Sequence, residues 1–113
     1  FRSPDTHFPA ARNLQFAAAV FAWSGDNHKA RQLFEEAAQR AARVGEPVFA
    51  AHTYLDCAFV SAELGMGRHT IAAARAAREL VESNEVSWKD RELLLARLAL
   101  LDAPTTLGEI MSP

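Results

Sequence analysis

The sequence predicts an all-α domain of about five helices stacked as antiparallel hairpins, and three observations carry that prediction. The glycines and prolines, five of each in 113 residues, fall between periodic segments, so the chain divides at its own punctuation. Within the segments apolar residues recur at helical spacing. Ala30, Leu33, Phe34, Ala37, Ala38 and Ala41 lay one apolar stripe along a helix. The punctuation is also written twice: Ser24–Val48 (SGDNHKARQLFEEAAQRAARVGEPV) stops at a glycine, restarts as a helix and stops again, and Leu64–Val86 (LGMGRHTIAAARAARELVESNEV) does the same forty positions on. No strand-like alternation competes with the helical period.

The first helix spans about 9–24, with Leu14, Ala17, Ala18 and Phe21 as its core stripe and Ser24-Gly25 as its stop. The second, about 27–44, opens at Asp26 or Asn27, whose side chains accept from the unpaired N–H groups of a first turn. Its outer face carries the i,i+4 pairs Arg31/Glu35 and Glu36/Arg40, each contributing a few tenths of a kcal/mol at most, and reads as a solvated surface. The third, about 47–65, begins with Pro47, whose missing donor costs nothing in a first turn. Gly45 and Gly65 suit the left-handed conformation that closes a helix. The fourth spans about 68–83. The fifth, about 87–102, opens on Ser87 and Asp90, a variant capping box. Leu93, Leu94, Leu95, Leu98, Leu100 and Leu101 leave that helix little polar circumference. One side is therefore expected on the preceding hairpin and the other on the tail, on a second copy, giving a homodimer through the last helix, or on further repeats. The expected map is a single domain over 1–113: hairpins 9–44 and 47–83, a capping helix 87–102 and a tail 103–113. Opening on Phe1, the chain reads as a fragment of a larger protein.

Laid over residues 50–84, residues 10–44 match at Ala10/Ala50, Ala11/Ala51, Ala18/Ala58, Val20/Val60, Ala22/Ala62, Gly25/Gly65 and Ala37/Ala77. Most are alanines, but the turn glycine and the helix lengths come into register together, which composition alone does not arrange. A period near 40 with two helices per unit implies stacked helical hairpins. On these residues the chain resembles the tetratricopeptide-repeat superfamily, with Leu14, Ala17, Ala18, Phe21, Ala30, Phe34 and Ala37 at the family's places, followed by Tyr54, Cys57, Ala58, Thr70, Ala74 and Ala77. It departs from the family at Leu14 and Ala18, which replace a tryptophan and a glycine, at Ala42, where the closing proline is absent, and at Ser61, which stands for an aromatic. The period is also about six residues longer than the usual ~34. The resemblance covers residues 10–84 and implies a right-handed superhelix with degenerate repeats. It also implies a concave face, lined by the first helices of each hairpin, that binds peptides.

Arg12, Phe16, Ala19 and Trp23 share a face of the first helix, about half a turn from its core stripe. His52, Asp56, Phe59 and Glu63 repeat that spacing on the third. With Gln15, these residues form the candidate partner-binding face: Arg12, Gln15, Phe16, Trp23, His52, Asp56, Phe59 and Glu63. Charged and aromatic residues mixed on one face suit the backbone and anchors of a protein or peptide segment. The competing reading makes Phe16, Trp23 and Phe59 core residues closing a small bundle.

A net charge of −2, from 12 basic and 14 acidic residues, gives no electrostatic case for nucleic acid or anionic membrane. No apolar run approaches the ~18 residues of a membrane span. The lone Cys57 excludes an internal disulfide and slightly favours a reducing compartment, hence a cytoplasmic expectation. Cys57 falls on a core stripe and is expected to be inert, while His28 and His69 fall at turns and are expected to be exposed. His52, Asp56 and Glu63 lack the spacing of an established metal site, so no metal and no cofactor are expected. No nucleophile elbow, phosphate loop or dinucleotide fingerprint is present, so the chain is not expected to be an enzyme. The leading expectation is a protein-interaction scaffold. Its alternatives are a structural or oligomerisation segment of a larger regulator of bacterial type and, last, a helical bundle binding a small molecule or metal.

Overall fold

A computed structural model of the chain describes the backbone of residues 7–111 and the side chains of residues 9–101. It contains five helices, α1 (His7–Trp23), α2 (Asn27–Arg43), α3 (Pro47–Glu63), α4 (Gly67–Ser83) and α5 (Trp88–Met111), and no strand among the described residues. The first four are 17 residues each and begin at positions 7, 27, 47 and 67, so the chain repeats every 20 residues and the 40-residue period is one pair of helices.

One three-residue connection produces this regularity. Gly25, Gly45 and Gly65 have φ of +91°, +78° and +73°, in the left-handed region where a Cβ is strained. At the first of them the Gly25 N–H reaches back to the Ala22 carbonyl at 3.1 Å and the Asp26 N–H to that of Phe21 at 2.9 Å, a Schellman closure. The pattern recurs at Gly45/Glu46 and Gly65/Met66. The residue that ends each closure then starts the next helix: the carbonyls of Asp26, Glu46 and Met66 accept from the N–H groups of Ala30, Ala50 and Thr70 at 3.0 Å. Asp26 adds its Oδ1 as acceptor for the Lys29 N–H at 3.2 Å, while α3 opens on Pro47 without a side-chain cap. A four-residue connection precedes α5, where the Ser87 hydroxyl accepts from the Asp90 N–H at 3.2 Å and donates to the Asp90 carboxylate at 2.9 Å.

Consecutive helices pack along their lengths, α1 on α2, α2 on α3 and α3 on α4, whereas α5 touches α3 and α4 more lightly. The body is 20 Å deep in its thinnest direction, the depth of two helices of about 10 Å each. Small residues at equivalent places allow this approach. Ala18, Ala38 and Ala58 occupy the same helical position and are fully buried, as do Ala37, Cys57 and Ala77 at the position before. Phe34 fills the space they leave on the α1/α2/α3 side. Between α3, α4 and α5 a second cluster forms from Ala51, Leu55, Ala77, Val81, Leu94 and Leu98.

α5, read from the sequence as ending near 102, continues helically past Pro104 to Met111. A proline inside a helix removes one donor and crowds the carbonyl four residues back, at a cost of about 3 kcal/mol, which is why the sequence reads as a stop there. The expected packing of the tail falls on side chains outside those described. Leu93, Leu95, Leu100 and Trp88 on α5 are exposed. No helix among the described residues is long and apolar enough to cross a membrane.

Candidate functional site

α1, α3 and α5 present equivalent positions in register. Counted from the first residue of each helix, Arg12, His52 and Leu93 are sixth; Phe16, Asp56 and Arg97 are tenth; Ala19, Phe59 and Leu100 are thirteenth; Trp23 and Glu63 are seventeenth. These positions follow the i, i+4, i+7 rhythm of one helix face, so the three helices lay parallel stripes side by side.

Contacts between stripes bear out the register. The Arg97 Nη2 donates to the Asp56 Oδ1 at 2.7 Å, within the same row. Its Nη1 lies 2.9 Å from the His52 Nδ1 and 3.3 Å from the His52 carbonyl oxygen. The guanidinium carbon lies 5.7 Å from the centroid of the Phe59 ring. One cation thus binds a carboxylate, an imidazole, a carbonyl and an aromatic face, and it fastens α5 to α3. Both charged side chains of the pair keep about a quarter of their surface, at 25% and 29%. Three of the sequence-proposed residues, His52, Asp56 and Phe59, are therefore half-buried against Arg97.

The α1 side is open. Trp23 is 94% exposed and Phe16 70%. With Ala19, Val20, Ala22, Phe34, Asp56, Phe59 and Val60 they line a cleft of about 510 Å³ between α1 and α3. Its walls are apolar and aromatic except for the Asp56 carboxylate. Phe59 also lines a second cleft of about 400 Å³, which Ile71, Leu100 and Leu101 enclose on the α4/α5 side. The two apolar surfaces meet at that ring. Arg12 and Gln15 lie at the other end of α1, in a shallow depression with Pro9, Asn13 and Phe16. Glu63 is exposed and accepts from the Asn27 Nδ2 at 3.4 Å. The eight proposed residues thus divide: Phe16, Trp23, Asp56 and Phe59 share the first cleft, His52 belongs to the Arg97 clamp, Glu63 follows Phe59 by one turn, and Arg12 and Gln15 lie apart at the far end.

The sequence reading omitted Leu93, Arg97 and Leu100. Their spacing was present, but the four-residue connection shifts α5 to a 41-residue offset from α3, and the surrounding leucines hide which face is which. Val20, Phe34 and Val60 were also missed as cleft residues.

On the opposite side, Glu35, Gln39, Tyr54, Cys57, His69, Ala72 and Ala73 enclose a smaller pocket of about 150 Å³. Burial, with Glu35 beside it, pushes the Cys57 thiol up to about 11, so the sulfur is protonated and inert at neutral pH. The thiol points at the Arg31 carbonyl oxygen, 3.7 Å away.

Burial lowers the pKa of His52 below 6.5, the Arg97 charge lowers it further, and Asp56 and Asp90 oppose the shift. The neutral ring can accept from Arg97, whereas the protonated ring would repel it. Since the unfolded histidine takes up its proton near 6.5 and the folded one only at lower pH, acid favours the unfolded state. This contribution is complete above pH 6.5 and is lost as the pH falls through the folded pKa. His52→Gln, which keeps an acceptor but does not titrate, is expected to lose less melting temperature than the wild type between pH 7 and pH 5. Identical losses in paired thermal melts would contradict the assignment.

Compared with protein-family models, with curated proteins and with solved structures, the chain has no match.

Proposed function

We propose that the chain is a protein-interaction module of the tetratricopeptide-like kind, whose first-helix face receives an apolar segment of a partner protein in the cleft between α1 and α3. The observation that carries this reading is the exposure of Trp23 and Phe16 beside a preformed apolar cleft. Large rings left in water beside an apolar cleft mark an interaction site, and aromatic anchors dominate the energetics of such sites. The size of the cleft suits a few side chains and lies within the ~300–1,000 Å³ range of ligand sites. Continuity of the cleft with the Phe59–Leu100 surface extends the seat across all three first helices. Binding, and not catalysis, is the role we assign, in keeping with the protonated, buried Cys57 and the Arg97-bound His52. We place this role in the cytoplasm, where a lone buried thiol is undisturbed.

Trp23→Ala tests the reading. With its ring in solvent, the variant should melt within about 3 °C of the wild type. It should bind a partner isolated on the immobilised chain about 30-fold more weakly, a loss of about 2 kcal/mol. A stability loss of about 3–5 kcal/mol would make the ring part of the core. Undiminished partner affinity in the folded variant would remove the cleft as the binding site.

A further inference from the structure

Resting on the proposed cleft, a second property follows from how the chain treats its own cation. Arg97 lies against an aromatic ring, Phe59, and a carboxylate, Asp56, drawn from adjacent rows of the first-helix face. The same two chemical types recur at the seventeenth position of the first helices, where Trp23 and Glu63 stand in register across α1 and α3. There no cation answers them. Among the described residues no lysine, arginine or histidine is ion-paired with Glu63, whose partner is the Asn27 amide at a long 3.4 Å. That amide ties Glu63 to the start of α2, four residues beyond Trp23 along the chain.

Charge is also distributed unevenly along the face. Arg12 lies toward the opening end of α1, Asp56 lines the cleft from the middle of α3, and Glu63 is the last residue of that helix. Asp56 is paired with Arg97, whereas Glu63, two turns further along the same face of α3, is in no ion pair among the described residues. An apolar cleft with an exposed indole, and an unpaired carboxylate at the equivalent position of the neighbouring first helix, complements a segment whose apolar anchor is followed by a cation.

We infer that the partner segment carries an arginine beside its apolar anchor, with the guanidinium lying over the Trp23 indole and pairing with Glu63 while the anchor fills the cleft against Phe16, Val20 and Phe59. Arginine fits better than lysine because its planar, several-donor group can lie over a ring and bind a carboxylate at once, as the Arg97 guanidinium lies over Phe59 while its Nη2 donates to Asp56.

The test is selection of random 12-residue peptides displayed on phage against the wild-type chain, followed by fluorescence-polarisation titration of the enriched sequences as synthetic peptides. Enriched peptides should carry arginine next to a large apolar residue. Exchanging that arginine for citrulline, or Glu63 for glutamine in the chain, should weaken binding about three- to tenfold, with little further loss when both changes are combined. Peptides that carry apolar anchors without enriched arginine, and that bind Glu63→Gln as they bind the wild type, would overturn this inference and leave the cleft reading standing. Failure to enrich any peptide, or enriched peptides that bind folded Phe16→Ala and Trp23→Ala variants unchanged, would overturn both.

Discussion

Leu55→Ala is expected to remove about 2–5 kcal/mol of stability, enough to threaten folding in a domain of this size. Leu55 is fully buried and packs in one cluster with Ala77 and Val81 of α4 and Leu94 and Leu98 of α5. Truncating it deletes apolar contacts and leaves a cavity that three helices must close together. Since α5 packs only lightly elsewhere, with the Arg97 clamp as its main polar attachment, the cavity should also loosen α5 before the other helices. Chemical denaturation would measure the total loss. Amide exchange in α5 faster than in α1 and α2 would show where the loss is felt first. A loss under about 1 kcal/mol would mean that Leu55 does not hold α5 in place.

The second large effect is expected from adding volume where the helices come closest. Ala58→Leu places three more carbon atoms at a fully buried position in the cluster with Ala18, Ala30 and Phe34, and should cost about 1–3 kcal/mol or more by forcing α1, α2 and α3 apart. The same substitution one turn later, Ala62→Leu, falls on an exposed position and should change stability by no more than about 0.5 kcal/mol. Thermal melts of the two variants compare one chemical change on one helix at two depths. If Ala58→Leu melted like Ala62→Leu, the close approach of α3 to its neighbours would be disproved. Relief of Ala58→Leu by a compensating Phe34→Leu would show that volume is the cause, since the two residues share one cluster.

Helix type and punctuation were legible in the sequence because both are local. The stripe from Ala30 to Ala41 needs only the helical period, and Gly25, Gly45 and Gly65 announce a left-handed residue whatever surrounds them. The capping roles of Asp26 and Ser87 involve atoms three residues away or fewer. The pairing of Phe16 and Trp23 on one face was legible for the same reason, as was that of His52, Asp56 and Phe59. The sequence could not decide which of those rings lies in water, because burial depends on what the rest of the chain places opposite them. Among the described residues no helix covers Trp23, which stands in solvent, whereas Phe59, on the equivalent face two helices along the chain, lies under a guanidinium contributed from 38 residues away. The clamp of Arg97 on His52 and Asp56 joins residues 45 and 41 apart, and its register turns on a connection of four residues in place of three. Local spacing therefore determined the helices, their caps and their faces. Tertiary packing alone decided that half of the candidate face is occupied by the chain's own arginine and half is left open, because that outcome depends on the charge and bulk that a distant helix brings to the site.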